Sequence, residues 1–228
     1  MSLNRFASLR WQAIARRHPS AFLLAVQLLS LVLYPLFDQV GGGRVVFGAF
    51  GVLALALAVW VVNRSPASTW IAWSLAVPAF VLSLLAVLVR SEALLVASSA
   101  LEALLYFYAA GSLIAYMMSD HQVTADELYA AGATFTLLAW GFAYAFFVCQ
   151  AWYPGSFAGA VEPARPRVWL ELLFLSFTNL SAVGLGDVVP LGAAARVLVM
   201  LEQFAGVGYV AVVVSRLIGL TIVRAQER

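Results

Sequence analysis

The residues best suited to chemistry form a short run in which glycine alternates with other residues. The run is Ala182-Val183-Gly184-Leu185-Gly186-Asp187. Alternating glycines let consecutive carbonyls point the same way, because glycine adopts backbone angles that other residues resist. A row of aligned carbonyls at membrane depth coordinates cations, and Asp187 would concentrate cations at the outer mouth of such a row.

The rest of the sequence is poor in catalytic groups. It offers no Ser-His-Asp set, phosphate-cradling loop, paired catalytic carboxylates or His/Cys cluster with metal-ligand spacing. The single cysteine, Cys149, lies in an apolar run and cannot form an internal disulfide. We therefore expect neither enzymatic activity nor an organic cofactor.

Composition indicates what surrounds the glycine-containing run. The chain is 64% hydrophobic and 11% charged, whereas soluble proteins are about 45–50% apolar and about 25% charged. This excludes most soluble enzymes and disordered chains and predicts a protein embedded in a lipid bilayer. The 13 basic residues are all arginines, and we expect those near the termini to meet membrane rather than nucleic acid.

Six apolar stretches have the length of about 20 residues that a membrane-spanning helix needs. They lie at roughly 20–37, 45–62, 69–89, 93–118, 125–152 and 194–217. The shorter stretch 168–180 reaches only about 20 Å as a helix, so we expect it to be re-entrant. Such a segment must hide its polar backbone in protein or beside water.

The arginines predict orientation. With six spans, eight arginines lie on the side of the termini and five on the other, a modest bias that places both termini in the cytoplasm. We expect a multi-pass protein of the cell (inner) membrane. Residues 1–19 suit an amphipathic segment on the inner membrane face, or act only as a topology signal.

In this context the run resembles the selectivity filter of potassium channels, which is commonly Thr-Val-Gly-Tyr-Gly followed by Asp. Outer helix, short pore helix, filter and inner helix form the pore module of that family. The stretch Leu201–Gly206, with the apolar residues after it, resembles the inner helix of bacterial members of the voltage-gated-like superfamily with one pore loop per chain. The close match covers roughly 140–220.

The resemblance implies an all-α integral membrane protein with six transmembrane helices. A re-entrant pore helix and filter would lie between the fifth and sixth, within a pore domain at 120–228 that follows a four-helix domain at 20–119. Four chains would surround one axis as a homotetramer, since each supplies one filter strand. Potassium ions would be held by the backbone carbonyls of Ala182, Val183, Gly184 and Leu185.

Residues next to the filter have roles implied by the same resemblance. Thr178, Asn179 and Ser181 would support the filter from the pore helix. Glu202 would brace it from behind by pairing with a pore-helix residue such as Thr178 or Asn179. The resemblance favours this brace over ion coordination in the permeation path.

Two glycines and one arginine of the last span have alternative interpretations. Gly206 and Gly208 would form a gating hinge, with close packing of the inner helix on the pore helix as the alternative. Arg216 would reach the cytoplasmic interface or bind an anionic lipid headgroup between subunits.

Two departures from the family pattern affect the predicted function. Ala182 replaces the threonine that adds a hydroxyl to the innermost ion site, and Leu185 replaces the tyrosine that hydrogen-bonds behind the filter. We expect a channel that conducts chiefly potassium with reduced selectivity. The alternatives are a non-selective cation channel and a non-conducting membrane subunit that retains the pore fold.

Two further ionisable residues have open roles. Glu102 lies inside the fourth span, where it would sense protons, bind a partner charge or be hydrogen-bonded to Ser98 or Ser99. His121 lies in the loop before the fifth span and would be either a proton sensor or a solvated side chain.

The fourth span lacks the charges that a voltage sensor needs. A sensor helix carries arginines every third residue within the membrane, and the fourth span, 93–118, contains none. We expect a shallow conductance–voltage relation in planar bilayers. A steep relation that carries several gating charges would contradict this.

Overall fold

A computed structural model describes residues 19–38, 68–119 and 124–226, with scattered helical positions between 53 and 62. The segment 1–18, His121 and most of the predicted span 45–62 lie outside the described residues. The described chain is mainly helical. Its elements are α1 (Pro19–Asp38), α2 (Thr69–Val89), α3 (Glu92–Met117), α4 (Ala125–Trp152), β1 (Phe157–Gly159), α5 (Trp169–Leu180), β2 (Val188–Pro190), α6 (Ala193–Tyr209) and α7 (Ser215–Gln226).

Among the described residues, four helical segments are long and apolar enough to cross a membrane. They are Thr69–Val89, Glu92–Met117, Ala125–Trp152 and Ala193–Gly219. Each lies within two residues of a predicted span at both ends. Length and hydropathy alone therefore located these helices, because a membrane-spanning helix must be apolar along most of its length.

Helix α4 is the centre of the described fold. It begins with a capping box, in which the Thr124 side chain accepts the Glu127 amide at 3.3 Å and the Glu127 carboxylate accepts the Thr124 amide at 3.0 Å. Helices α1, α3, α5 and α6 all pack against it. Its Trp140 and Phe146 are among the largest fully buried side chains.

Helix α1 runs parallel to α4. At its start, the backbone amide and hydroxyl of Ser20 donate to the Asp126 carboxylate at 3.2 and 3.0 Å. Further along, Thr136 Oγ1 donates to Gln27 Oε1 at 2.6 Å. Because residue numbers rise together in both helices, α1 and α4 begin on the same side.

Helices α2 and α3 form an antiparallel pair. They are joined through Arg90, which has a left-handed φ of 54°, and Ser91, which caps α3. The Tyr108 hydroxyl donates to the Ser68 carbonyl at 2.8 Å and fixes the far end of the pair. Most of α2 is exposed, as expected for a helix that faces lipid.

The loop from α4 to α5 and the loop from α5 to α6 each contribute one strand to a two-stranded antiparallel ladder. We call the first of these loops, which contains β1, the outer loop. In this ladder β1 pairs with β2, so that Phe157 lies opposite Pro190 and Gly159 opposite Val188. The loop before α5 is thereby tied to the segment that follows Asp187.

Helix α6 continues into α7 through a π-helical segment, Val210–Val214. The Tyr209 hydroxyl donates to the Ala131 carbonyl of α4 at 2.6 Å. Beyond the π-helical segment, the Arg216 guanidinium donates to the Met117 carbonyl at the end of α3. The last helix is thus attached to both α3 and α4.

The parallel packing of α1 on α4 can be tested by cross-linking. In a Cys149→Ala background, we expect Ser20→Cys with Asp126→Cys to be joined by a short bifunctional thiol reagent, because these side chains are in contact. Ser30→Cys with Asp126→Cys is the control, since ten residues move the thiol about 15 Å along α1. Mass spectrometry of the digested protein would identify the link, and a link in the control pair only would contradict the packing.

Candidate functional site

Helix α5 is held between α4 and α6. It is 12 residues long, which corresponds to about 18 Å and is too short to cross a membrane. Its first turn is capped by Glu171, whose carboxylate accepts the Val168 amide at 2.8 Å. Its buried face, which includes Leu172, Leu173 and Leu175, orients the helix so that its carboxyl end leads into the glycine-containing run.

The backbone amides of this run turn back onto the end of α5. The Thr178 carbonyl accepts the amides of Val183 and Gly184 at 3.0 and 2.9 Å, and the Asn179 carbonyl accepts that of Ala182 at 3.0 Å. In a trans peptide the N–H and C=O groups point in opposite directions, and the described residues contain no cis peptide bond. The carbonyls of Ser181, Ala182 and Val183 therefore point away from α5.

Left-handed backbone occurs at alternate positions of the run. Ala182 has φ 59° and Gly184 has φ 67°. Glycine was expected to supply these angles, but Ala182 adopts one of them because it follows the last turn of α5, where a left-handed residue commonly ends a helix. An alanine in this conformation costs about 1–2 kcal/mol relative to right-handed backbone.

The run is open in the single chain. All residues from Ser181 to Asp187 are exposed, with Val183 and Leu185 at 66% and 73%. Yet α4 and α6, the long helices before and after this segment, are apolar enough to cross a membrane. Because lipid satisfies no backbone polar group, this face of the run requires water or other protein.

Glu202 is fully buried behind the run and accepts a hydrogen bond from the Ser176 hydroxyl. Ser176 also donates to the Ala139 carbonyl at 2.8 Å, so this hydroxyl joins α4, α5 and α6. We predicted pairing with a pore-helix residue such as Thr178 or Asn179. Ser176 is a residue of this short helix, on its buried face, and the Asn179 side chain also interacts with Glu202.

Thr178 and Ser181 form hydrogen bonds within the end of α5, whereas Asn179 bonds to α6. Thr178 Oγ1 donates to the Leu175 carbonyl at 2.9 Å, and Ser181 Oγ donates to the Thr178 carbonyl at 3.3 Å. Asn179 Oδ1 accepts a hydrogen bond from Gln203 at 3.3 Å. These bonds strengthen the end of α5 and its contact with α6.

Gly206 is the point of closest approach between α6 and α5. A Cβ atom added there would collide with the Leu180 carbonyl, whereas one added at Gly208 would have no atom within 4 Å. This contact gives Gly206 the packing role that was the alternative to a hinge. A hinge role for either glycine stays a prediction.

The backbone of Asp187 is anchored at the outer end of the run. Its carbonyl accepts the Ala160 amide at 2.8 Å, and Val188 immediately enters the β ladder. The Asp187 side chain is exposed. The negative charge therefore lies where the run opens outward.

Sequence reasoning missed the residues that organise the outer loop. Arg167 is 2% exposed, although we had counted it only among the arginines that set orientation. Gln150, at the end of α4, pairs with its backbone. No spacing rule indicates such a pair, because it depends on how the loop folds over the ends of α4 and α5.

Glu102 and Arg216 lie away from the run. Glu102 is buried and hydrogen-bonds with Tyr144 of α4, while the expected neighbour Ser98 bonds to the Leu95 carbonyl. The Tyr144 ring lies 5.5 Å from that of Trp169 at the start of α5. The Arg216 guanidinium contacts the Met117 carbonyl at the end of α3, and its place at the membrane interface stays a prediction.

Comparison with known proteins adds one match. A family model described as an ion channel, Ion_trans_2, matches residues 103–222, more than half of the chain. The match begins within α3 and includes α4, the outer loop, α5, the glycine-containing run and α6. No curated protein and no solved structure matches the chain.

The two glycines of α6 provide a matched pair of variants. We expect Gly206→Ala to lower stability by about 1–3 kcal/mol, because its Cβ would push the backbone of α5 away. Gly208→Ala should be neutral or raise stability by up to about 1 kcal/mol, since alanine favours a helix. Thermal unfolding in detergent, followed by tryptophan fluorescence, would measure both. Equal midpoints would contradict the packing role of Gly206.

Proposed function

The chain belongs to the Ion_trans_2 ion-channel family, whose members are membrane transport proteins and not enzymes, and we propose that it forms a homotetrameric cation channel that conducts chiefly potassium. The observation that carries this proposal is the hydrogen bonding between the end of α5 and the amides of the glycine-containing run. These bonds direct consecutive carbonyls away from α5, toward the open side of the segment.

Backbone carbonyls replace the water shell of an ion without any side-chain charge. Those of Ala182 and Val183 point away from α5, and those of Gly184 and Leu185 continue the proposed row. Potassium is the favoured ion because the run resembles the potassium-channel filter. Asp187 would raise the local concentration of cations at the outer mouth.

The surface that one chain leaves uncovered supports association of several copies, and the resemblance to potassium channels implies four. The run is exposed, and the neighbouring face of α6 presents large apolar side chains, with Phe204 at 80%. Lipid could cover the apolar side chains but not the polar backbone of the run. Four copies around an axis would cover α6 and enclose a water-filled path along the carbonyls.

Helix directions support six spans with a re-entrant α5. Helix α1 is parallel to α4, and α4 is antiparallel to α3, to which a short loop joins it. The antiparallel pair of α2 and α3 makes α2 parallel to α1 as well. These directions favour the predicted span 45–62, which lies between α1 and α2 in the sequence, as part of the proposal.

We place both termini in the cytoplasm and the protein in the cell (inner) membrane, because the arginines favour that orientation. The missing arginines of α3 favour weak or absent voltage sensing. An anionic lipid near Arg216 stays part of the proposal. It would have to share the guanidinium with the Met117 carbonyl.

A non-selective cation channel is the second candidate. It is favoured by the Leu185 side chain, which is 73% exposed in the single chain and has no hydroxyl to hold the filter from behind. A filter held less firmly discriminates less between potassium and sodium, if selectivity depends on the size of the ion site.

Flux and reversal potentials test this function. We expect purified protein in liposomes to pass potassium down a gradient, barium to block the flux, and bi-ionic reversal potentials to favour potassium. A permeability ratio of one would establish the non-selective candidate. Absence of flux would contradict the channel.

Variants of the filter make the test sharper. Leu185→Tyr should raise the potassium-to-sodium ratio by restoring the hydrogen-bonding ring, whereas Leu191→Tyr, on an exposed residue beyond β2, should not. Ala182→Thr is a poor repair, because a β-branched residue is strained at a φ of 59°. Ala182→Gly should be tolerated there.

A further inference from the structure

The outer loop contains a buried arginine that neither the family match nor the filter resemblance assigns. Arg167 precedes α5, and its side chain is 1% exposed. A buried guanidinium is costly unless its donors find acceptors. The groups that contact the Arg167 guanidinium therefore indicate which part of the structure it stabilises.

The guanidinium of Arg167 donates to three backbone carbonyls of its own loop. Its Nη1 donates to Val161 at 3.2 Å and its Nη2 to Glu162 at 2.6 Å. Its Nε donates to Arg165 at 2.9 Å, a carbonyl that Nη2 also contacts. The Glu171 carboxylate lies 3.8 Å away and offsets the charge.

The backbone of Arg167 is fixed to α4 at the same time. Gln150 Oε1 accepts the Arg167 amide at 3.0 Å, and Gln150 Nε2 donates to the Arg167 carbonyl at 2.8 Å. The oxygen and the nitrogen of the Gln150 side-chain amide therefore both hydrogen-bond to the Arg167 backbone. The arginine therefore has a fixed position relative to the end of α4.

Gly159 connects this arrangement to the filter. A Cβ atom at Gly159 would collide with Nη1 of Arg167, so the guanidinium occupies the space that any other residue would need. Gly159 lies opposite Val188 in the β ladder, and the next residue, Ala160, donates to the Asp187 carbonyl. The arginine thus packs against the strand that holds the outer end of the filter.

We propose that Arg167 is a positioning residue for ion selectivity, which fixes the outer end of the filter through Gly159, the β ladder and the Asp187 carbonyl. The inference rests on the proposed channel function. It assigns a cause of selectivity outside the filter, in a chain whose filter lacks the family's tyrosine. The outer loop replaces part of the support that the tyrosine ring of the family would give the filter from behind.

Two variants disturb this arrangement in different ways. Arg167→Lys keeps the charge but loses the planar fork that reaches several carbonyls. Gly159→Ala keeps the arginine but fills the space beneath it. Gly111→Ala is the matched control, because Gly111 lies in α3 with no atom within 4 Å of an added Cβ.

The first measurement is the bi-ionic permeability ratio of folded tetramers in liposomes. We expect Arg167→Lys and Gly159→Ala to lower the potassium-to-sodium ratio by roughly fivefold or more, because buried carbonyls of the loop lose their donors. Gly111→Ala should match the wild type. If both loop variants keep the wild-type ratio, Arg167 has only a structural role and the inference is overturned.

The second measurement does not depend on conduction. Hydrogen–deuterium exchange of the Ala160 and Leu191 amides reports on the contacts at both ends of the ladder, since these amides donate to Asp187 and Ser156. We expect exchange about tenfold faster in the two loop variants. Unchanged exchange would overturn the inference. Wild-type protein that passes neither ion would contradict the proposed function and with it the selectivity role, and exchange would then show separately whether Arg167 fixes the segment at Asp187.

Discussion

The arrangement of the candidate site depends on three hydrogen bonds at the carboxyl end of α5. Helices end with carbonyls that have no partner within the helix, and here the Thr178 and Asn179 carbonyls accept the amides of Ala182, Val183 and Gly184. Each amide that turns inward directs the preceding carbonyl outward. Hydrogen bonding of the last helical carbonyls, which is common at helix ends, therefore also produces a row of outward carbonyls. The neighbouring elements must keep the end of α5 in place.

Packing from two sides supplies this support. Behind the run, the Ser176 hydroxyl contacts both Glu202 and the Ala139 carbonyl, and Gly206 lets α6 approach the last turn of α5. In front, the β ladder holds the chain just beyond Asp187. The run itself stays uncovered in the single chain.

Much of the fold was predictable because the membrane limits the choices. Apolar length located α2, α3, α4 and the last helix. The contacts of individual residues were harder to predict. A pore-helix partner was expected for Glu202, but Ser176 was not named as a candidate, and Arg167 was not expected to be buried. Both depend on which helix faces meet, which hydropathy does not specify when a helix is apolar all round.

The sequence alone determined that this is a membrane protein with a short helix and a glycine-containing run between two long helices, because apolar length and glycine spacing are local properties. Tertiary structure decided which backbone atoms face outward, that Ala182 adopts the left-handed angle, that Gly206 is a contact and that an arginine lies buried beside the outer strand. These features arise where α4, α5, α6 and the outer loop meet. The Gly206 contact and the buried arginine depend on residues distant in sequence, and the backbone of the run depends on its hydrogen bonds to the end of α5, which apolar length and glycine spacing do not specify.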